Sequence, residues 1–180
     1  YAFYGTGASD RQLPLHALDL VPEAKACHFG SYAMVVEPVA GTQRALVERA
    51  RKQGSVIAYD PNIRLNVEPD LQRWRDTLAW MLPRTHIVKV SDEDLEMLYL
   101  GADIAALATE WIASGVSLVI VTRRGEGAWA WTAAHHASAS PVKVEVVDTV
   151  GAGDTFQAAM LTALEERKLL TPQALGALTA

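Results

Sequence analysis

The sequence predicts a three-layer α/β domain built on a mostly parallel sheet. Four short apolar stretches have the length and composition of buried strands, namely residues 24–30, 55–60, 87–91 and 116–122. Segments with helical periodicity alternate with them, at residues 42–53, 71–82, 91–100 and 104–113. Because strands and helices alternate along the chain, we expect right-handed βαβ units, which build a parallel sheet covered by helices.

The first two predicted strands contain few polar side chains. Residues 1–4 alternate aromatic and small side chains and predict an edge strand, and residues 24–30 predict a short buried strand. His28 in the second strand is interpreted as a core or strand-end histidine, because no second histidine lies at metal-ligand spacing. Cys27 beside it is interpreted as an inert buried thiol.

The predicted helices have recognisable boundaries. Residues 42–53 form a helix that ends at Gly54, and its run of charged side chains indicates a solvated face. Residues 71–82 carry an apolar stripe at helical spacing, which indicates core packing. Ser91, with Asp94 three residues later, is close to a capping box and predicts the start of the next helix.

The last third of the chain predicts two antiparallel strands and a long helix. The strands are residues 127–131 and 142–148, with His135 and His136 at a loose hairpin tip between them. Residues 157–169 are rich in Ala, Leu, Met and Glu and predict the helix. The two strands extend the sheet toward the glycine-rich stretch that precedes this helix.

Composition and charge exclude several classes of protein. A chain of 180 residues that is half hydrophobic fits one globular domain. The net charge of −5 provides no basic surface for nucleic acid or an anionic membrane. A single cysteine excludes an internal disulfide framework and fits a reducing compartment. No apolar run reaches transmembrane length, so we predict a cytoplasmic protein.

A glycine-rich turn at residues 148–156 lies where the last strand passes into the last helix. Gly151 and Gly153 lack Cβ atoms, so the backbone can approach a ligand closely, and the helix N-terminus favours phosphate. A carboxylate at Asp154 would repel bound phosphate, but it makes sense as a base that removes a proton from a hydroxyl attacking phosphorus. An ordinary loop with Asp154 as a helix cap explains Gly-x-Gly-Asp alone equally well.

Polar groups follow four of the predicted strands, at residues 60–64, 91–94, 122–127 and 148–154. In open α/β sheets, ligands bind beyond the carboxyl ends of the strands. We therefore expect these four segments to crowd one rim of the sheet and to form a single site.

The complete stretch Asp-Thr-Val-Gly-Ala-Gly-Asp-Thr-Phe at residues 148–156 resembles the signature of the ribokinase-like sugar kinases, the phosphofructokinase-B family. The resemblance implies an αβα Rossmann-like domain of the ribokinase type. It implies that Asp154 is the catalytic base and that Thr149 binds the nucleotide. The anion hole is then formed by Gly151, Ala152 and Gly153.

The resemblance extends to the sugar side of the site. Asp-Pro-Asn-Ile-Arg at residues 60–64 resembles the family's Asp-Pro-Asn-x-Arg motif, which implies that Asn62 and Arg64 border the sugar and the transferred phosphate. Asp10 matches the aspartate that ends a small-residue stretch after an aromatic strand, although a turn aspartate is an equally good interpretation. Gly5 stands where the family has an arginine that helps to hold the sugar.

The nucleotide side departs more from the family pattern. Asp94 occupies the place of a glutamate that acts on magnesium through water, and the neighbouring Glu93 is an alternative. Thr122 and Gly127 match a phosphate-binding Thr-x-Gly-x-x-Gly segment, whereas Arg124 replaces its first glycine. Arg124 is therefore a candidate phosphate ligand, and so is Arg123.

Together these matches predict an ATP-dependent sugar kinase that requires Mg²⁺ and acts most readily on fructose. Phosphorylation of 2-keto-3-deoxygluconate or ribose is the alternative, as is a ribokinase-like fragment without catalytic activity. A dinucleotide-binding oxidoreductase is disfavoured because no Gly-x-Gly-x-x-Gly follows the first strand. We expect sugar and ATP as the binding partners, and a homodimer formed through the lid in the full-length protein.

The chain itself predicts a partial kinase domain. It begins at Tyr1 without an initiator methionine and stops at Ala180 within an apolar stretch. The resemblance implies an N-terminal lid and sugar-site portion and a C-terminal adenine segment beyond these residues. Residues 1–13 would then be a remnant of the lid strand and the sugar-site loop.

Overall fold

One mixed sheet of six strands organises a computed structural model of the chain, which describes residue 5 and residues 7–178. The strands are β1 (Ala26–Gly30), β2 (Val56–Asp60), β3 (Ile87–Ser91), β4 (Leu118–Thr122), β5 (Ala128–Trp131) and β6 (His136–Ala139). They lie side by side in chain order. β1 to β4 are parallel, and β5 and β6 are antiparallel to their neighbours. The mostly parallel sheet is therefore confirmed, while the strand predicted at residues 1–4 lies outside the described residues.

Helices flank both faces of the sheet. They are α1 (Val39–Lys52), α2 (Leu71–Met81), α3 (Asp92–Leu98), α4 (Ile104–Ala113), α5 (Ala152–Glu166) and α6 (Pro172–Gly176), with short 3-10 turns between some of them. The predicted cap at Ser91 is confirmed, since its Oγ accepts a hydrogen bond from the Asp94 amide at 3.0 Å. None of the described helices is both long and apolar enough to cross a membrane.

Alternation along the strands explains the three layers. In β2, Ile57 and Tyr59 face the core that contains buried residues of α1, α2 and α4, whereas Val56 and Ala58 face α5 and α6. Strand β2 is buried along its whole length because both of its faces are covered. The same period places Asp60 and Lys89 of the neighbouring strands on the α5 side of the sheet.

The strand predicted at residues 142–148 is wrong. The structure has no strand there, and its valines are exposed, Val147 by 94%. The second antiparallel strand is instead β6, so His136 belongs to a strand rather than to the hairpin tip. The alternation of Val with Lys and Glu is only a local pattern. Strand β5 pairs with β6 instead, and residues 142–148, which are all exposed, have no partner strand in the described sheet.

The start of α5 and the burial of β1 also differ from the predictions. Helix α5 begins at Ala152 rather than at residue 157, so Gly153 and Asp154 lie in its first turn. Gly151 makes this early start possible, because it holds a left-handed backbone conformation with φ of +74°. Strand β1 is one of the two edge strands of the described sheet. Of its residues only Phe29 is buried, and His28 is exposed.

Candidate active site

The carboxyl ends of β2 and β3 meet the N-terminus of α5 at one rim of the sheet. Lys89 of β3 donates a hydrogen bond to Asp60 of β2, with 2.7 Å between Nζ and Oδ2, and both side chains are buried. His28 in the middle of β1 lies within electrostatic range of Asp60, Lys89 and Asp154. The pKa of His28 is lowered chiefly by desolvation of its imidazole, against the opposing effect of the two carboxylates.

The glycine-rich turn is shaped by short-range hydrogen bonds. The Asp148 carboxylate accepts a hydrogen bond from the Val150 amide at 2.9 Å, which is an Asx-turn. The Thr149 carbonyl accepts one from the Ala152 amide at 3.2 Å, so Thr149 contributes its backbone to the turn. The chain then enters α5. The first amides of a helix have no partner within the helix, and this end carries the positive end of the helix dipole.

Gly153 lies directly against the buried ion pair. A Cβ atom added at this position would stand 3.0 Å from Lys89 Nζ, which is closer than ordinary van der Waals contact. The absence of a side chain at Gly153 therefore allows α5 to approach β3. Asp154, the next residue, is exposed in the first turn of α5 and is open to a substrate.

Hydrogen bonds join the loop that follows β2 to Asp60 and to Ser31. The backbone N–H of Asn62 donates to Asp60 Oδ1 at 3.1 Å, and the backbone carbonyl of Asn62 accepts from Ser31 Oγ at 3.0 Å. Asn62 takes a left-handed conformation with φ of +41°, which asparagine tolerates better than most residues. Arg64 is half-buried and donates from Nη1 to the Ile63 carbonyl at 2.9 Å.

Asp94 connects this loop to α3. Its Oδ1 accepts the Ile63 amide at 3.1 Å, and its side chain is buried. Desolvation raises the pKa of the Asp94 carboxyl, and the charge of Asp60 adds to this, while hydrogen bonds from Ser91 and Ile63 act in the opposite direction. Asp94 and the loop of residues 60–64 are thus brought together as the sequence predicts.

Arg124 is engaged with carboxylates of α3. It forms an ion pair with Glu93, and its Nε lies 3.9 Å from Asp92 Oδ1. Arg124, the predicted phosphate ligand, is therefore paired with Glu93, the predicted alternative magnesium residue, in this structure. Arg123 pairs with Glu126 and lies 3.8 Å above the centre of the Trp129 ring.

The other predicted nucleotide residues lie in the turn between β4 and β5. Thr122 ends β4 and donates from Oγ1 to the Val90 carbonyl at 3.4 Å. The Gly127 carbonyl accepts the Arg123 amide at 2.8 Å and closes the turn. This turn follows the parallel strand β4, so it lies at the same edge of the sheet as the ends of β2 and β3.

The N-terminal loop reaches the site through Tyr32. The Tyr32 hydroxyl donates to Asp10 Oδ2 at 2.9 Å, and the preceding residue, Ser31, binds the Asn62 carbonyl. The Arg11 guanidinium lies 5.8 Å from the centre of the Tyr32 ring. A Cβ atom added at Gly5 would overlap that guanidinium, so the glycine leaves the space that Arg11 occupies.

Sequence reasoning missed two cations of this region, Lys89 and Arg11. A lysine in the apolar stretch Ile-Val-Lys-Val was a usable signal, because a charged side chain in a buried strand requires a partner. Its partner, Asp60, is 29 residues away and had been interpreted only as part of a loop. Arg11 gave no such signal, because it stands in a polar loop.

Comparison with known proteins identifies one family. The family model described as pfkB family carbohydrate kinase matches residues 2–174. A fructokinase of Rhizobium leguminosarum bv. trifolii is 38% identical over 179 residues, which is 99% of this chain and 55% of that protein. A probable fructokinase-4 of Arabidopsis thaliana is 31% identical over 97% of this chain and 55% of its own length. The chain thus spans about half the length of the curated relatives it matches.

Solved structures show the same fold. A fructokinase from Vibrio cholerae O395, solved with fructose, ADP and calcium ion bound, superimposes with a TM-score of 0.79 at 25% identity. The match covers 94% of this chain and 56% of that one. A putative ribokinase II from E. coli, solved with ATP and Mg²⁺, has a TM-score of 0.72 at 24% identity over 89% of this chain and 51% of its own.

Proposed function

Because the chain belongs to the pfkB family of carbohydrate kinases, we propose that the intact protein is a fructokinase that transfers the γ-phosphate of ATP to a hydroxyl of fructose. The observation that carries the proposal is the exposed Asp154 carboxylate in the first turn of α5, directly after the glycine-rich turn. The fructokinases among the relatives support fructose as the acceptor.

Asp154 and the turn before it divide the chemistry between them. The Asp154 carboxylate accepts the proton of the attacking sugar hydroxyl, which does not ionise unaided at neutral pH. The amides of Gly151, Ala152 and Gly153 stabilise the negative charge that accumulates on the phosphoryl oxygens. The nucleotide phosphates are held by Thr122, Arg124, Gly127 and Thr149. When ATP binds, Arg124 leaves the carboxylates of Asp92 and Glu93 and pairs with phosphate.

The loop after β2 orients the acceptor. Asn62 and Arg64 border the sugar and the transferred group, and Arg64 supplies positive charge and directional hydrogen bonds. Asp10, held by the Tyr32 hydroxyl, accepts hydrogen bonds from sugar hydroxyls. Correct orientation of this kind provides a large part of the rate enhancement in phosphoryl transfer.

The donor set at the rim fits magnesium held mainly by the nucleotide. The described residues contain no group of three or more His, Cys, Asp or Glu side chains that could enclose a metal ion. Mg²⁺ is commonly bound through one or two carboxylates together with waters and substrate phosphates. Asp94 would act on it through water, and the bound ion would neutralise charge on the phosphates.

An ADP-release assay on the intact protein with a panel of sugars tests the proposal. We expect fructose with ATP and Mg²⁺ to give the highest kcat/KM, with 2-keto-3-deoxygluconate and ribose below it. An Asp154→Asn variant serves as the blank for contaminating kinases. Turnover of a nucleoside or a vitamin alcohol instead of any sugar would refute the substrate assignment, and no turnover with any acceptor would refute the catalytic one.

Asp94→Asn is expected to change stability and activity in opposite directions. Because burial raises the folded-state pKa of Asp94, protonation stabilises the fold below the unfolded pKa, and this contribution is lost as pH rises through the folded pKa. The neutral asparagine still accepts the Ile63 amide, so at pH 7 the variant should resist urea better than wild type, with the difference vanishing in acid. Magnesium-dependent activity should fall by about 10–100-fold, as for other outer-shell changes.

Urea unfolding between acid and neutral pH, together with magnesium titration of kcat, measures both effects. Asp76→Asn is a suitable control because Asp76 is an exposed carboxylate on α2, outside the loops that follow the strands. A variant that is less stable than wild type at pH 7 would contradict the assignment of Asp94 as a desolvated carboxylate.

A further inference from the structure

The fold does not require charged side chains at the positions of the buried ion pair between Lys89 and Asp60. The Lys89 side chain is only 6% exposed, and its Nζ donates to Asp60 Oδ2 at 2.7 Å. Replacing a buried ion pair by apolar side chains of similar volume is often neutral or stabilising. The neighbouring Ile87 and Ala58 on the same face of the sheet show that apolar residues pack well there.

The lysine lies between its carboxylate and the glycine-rich turn. On one side it contacts Asp60, and on the other its Nζ stands 3.0 Å from the position that a Cβ of Gly153 would occupy. The ammonium group thus adjoins the first turn of α5, where the helix dipole is already positive. The two positive contributions add at the same place, and in a water-poor environment a full charge acts strongly.

We propose that Lys89 is a positioning residue of the phosphoryl site, which places a fixed positive charge beneath the turn of residues 151–153. Asp60 holds the ammonium group in place and at the same time shapes the substrate loop through the Asn62 amide. Lys89 acts on the anion through the turn and its field rather than by touching the sugar. The inference rests on the proposed function, since it names a further residue of the same site.

The two members of the pair should affect anion binding with opposite signs. Lys89→Met removes the positive charge and should weaken phosphate binding by about 10-fold, for a charge acting through an intermediate dielectric. Asp60→Asn removes the opposing negative charge and keeps one oxygen that accepts from Lys89, while its amide nitrogen replaces the oxygen that accepts from the Asn62 backbone N–H. It should tighten phosphate binding by about 3-fold. A pair that only maintained the fold would make both variants bind phosphate more weakly.

The experiment measures inorganic phosphate binding by calorimetry, and kcat and KM for ATP, on the intact protein and on both single variants and the double variant. Lys89→Met alone leaves the Asp60 carboxylate buried without its cation and is expected to destabilise the protein. The double variant Lys89→Met/Asp60→Asn removes both charges and so separates the loss of charge from the loss of stability. We expect the double variant to melt like wild type but to bind phosphate less tightly. Lys52→Met is the matched control, because it removes an exposed lysine of α1 and should change neither quantity.

Two results would overturn the inference. One is weaker phosphate binding in Asp60→Asn, and the other is wild-type phosphate binding in the double variant. Phosphate binding needs no sugar, so the proposed function can fail separately. If Lys89→Met weakens phosphate binding and Asp60→Asn tightens it in a protein that phosphorylates no sugar, the role of Lys89 stands and the fructokinase assignment is refuted.

Discussion

Asp154→Asn in the intact enzyme is expected to lower kcat by about 10²–10⁴-fold, which is the usual cost of removing a general base. Asparagine has nearly the same shape but cannot take the proton of the attacking hydroxyl. ATP affinity should remain close to that of wild type, because Asp154 is exposed and lies after the glycine-rich turn that we propose binds phosphate. Steady-state kinetics with fructose, paired with direct measurement of ATP binding, separates the two effects.

Glu166→Gln is the matched control for this change. Glu166 is an exposed carboxylate in the last turn of the same helix, so the variant loses the same charge far from the glycine-rich turn. It should keep wild-type kcat. An Asp154→Asn enzyme that also kept kcat near wild type would remove the base assignment and with it the centre of the proposed mechanism.

Trp74→Ala is expected to destabilise the described domain by about 3–5 kcal/mol, the usual range for truncating a buried tryptophan. Trp74 is 1% exposed in the core between α2 and the sheet. Its indole Nε1 also donates to the Glu68 carbonyl at 2.9 Å, so the change leaves a cavity and an unpaired carbonyl. That carbonyl belongs to the segment that follows the loop of residues 60–64, so we expect this loop to be less well ordered in the variant as well.

Urea unfolding followed by circular dichroism measures this loss. Leu100→Ala is the control, since Leu100 is 85% exposed and should shift the free energy of unfolding by no more than about 0.5 kcal/mol. Equal losses for the two variants would show that Trp74 does not belong to the cooperative core.

Features that depend on neighbouring residues were determined by the sequence alone. The parallel strands and the helices between them follow from apolar runs and helical periodicity, and the Ser91 cap follows from residues three apart. The glycine-rich turn before α5 and the polar loop after β2 were predicted in the same way. Their common position at one rim also followed, because the carboxyl ends of parallel strands meet at one edge of a sheet.

Features that depend on distant residues were decided only by the tertiary structure. The 142–148 segment has a strand-like pattern, but β5 pairs with β6 instead, and residues 142–148 are exposed without a partner strand in the described sheet. The place of Arg11 beside Gly5 and the ion pair of Arg124 with Glu93 depend on how separate loops pack. Lys89 pairs with Asp60 because strand alternation points both side chains to the face of the sheet that α5 covers. Gly153 lies beside Lys89 because the packing of α5 places its first turn on that face.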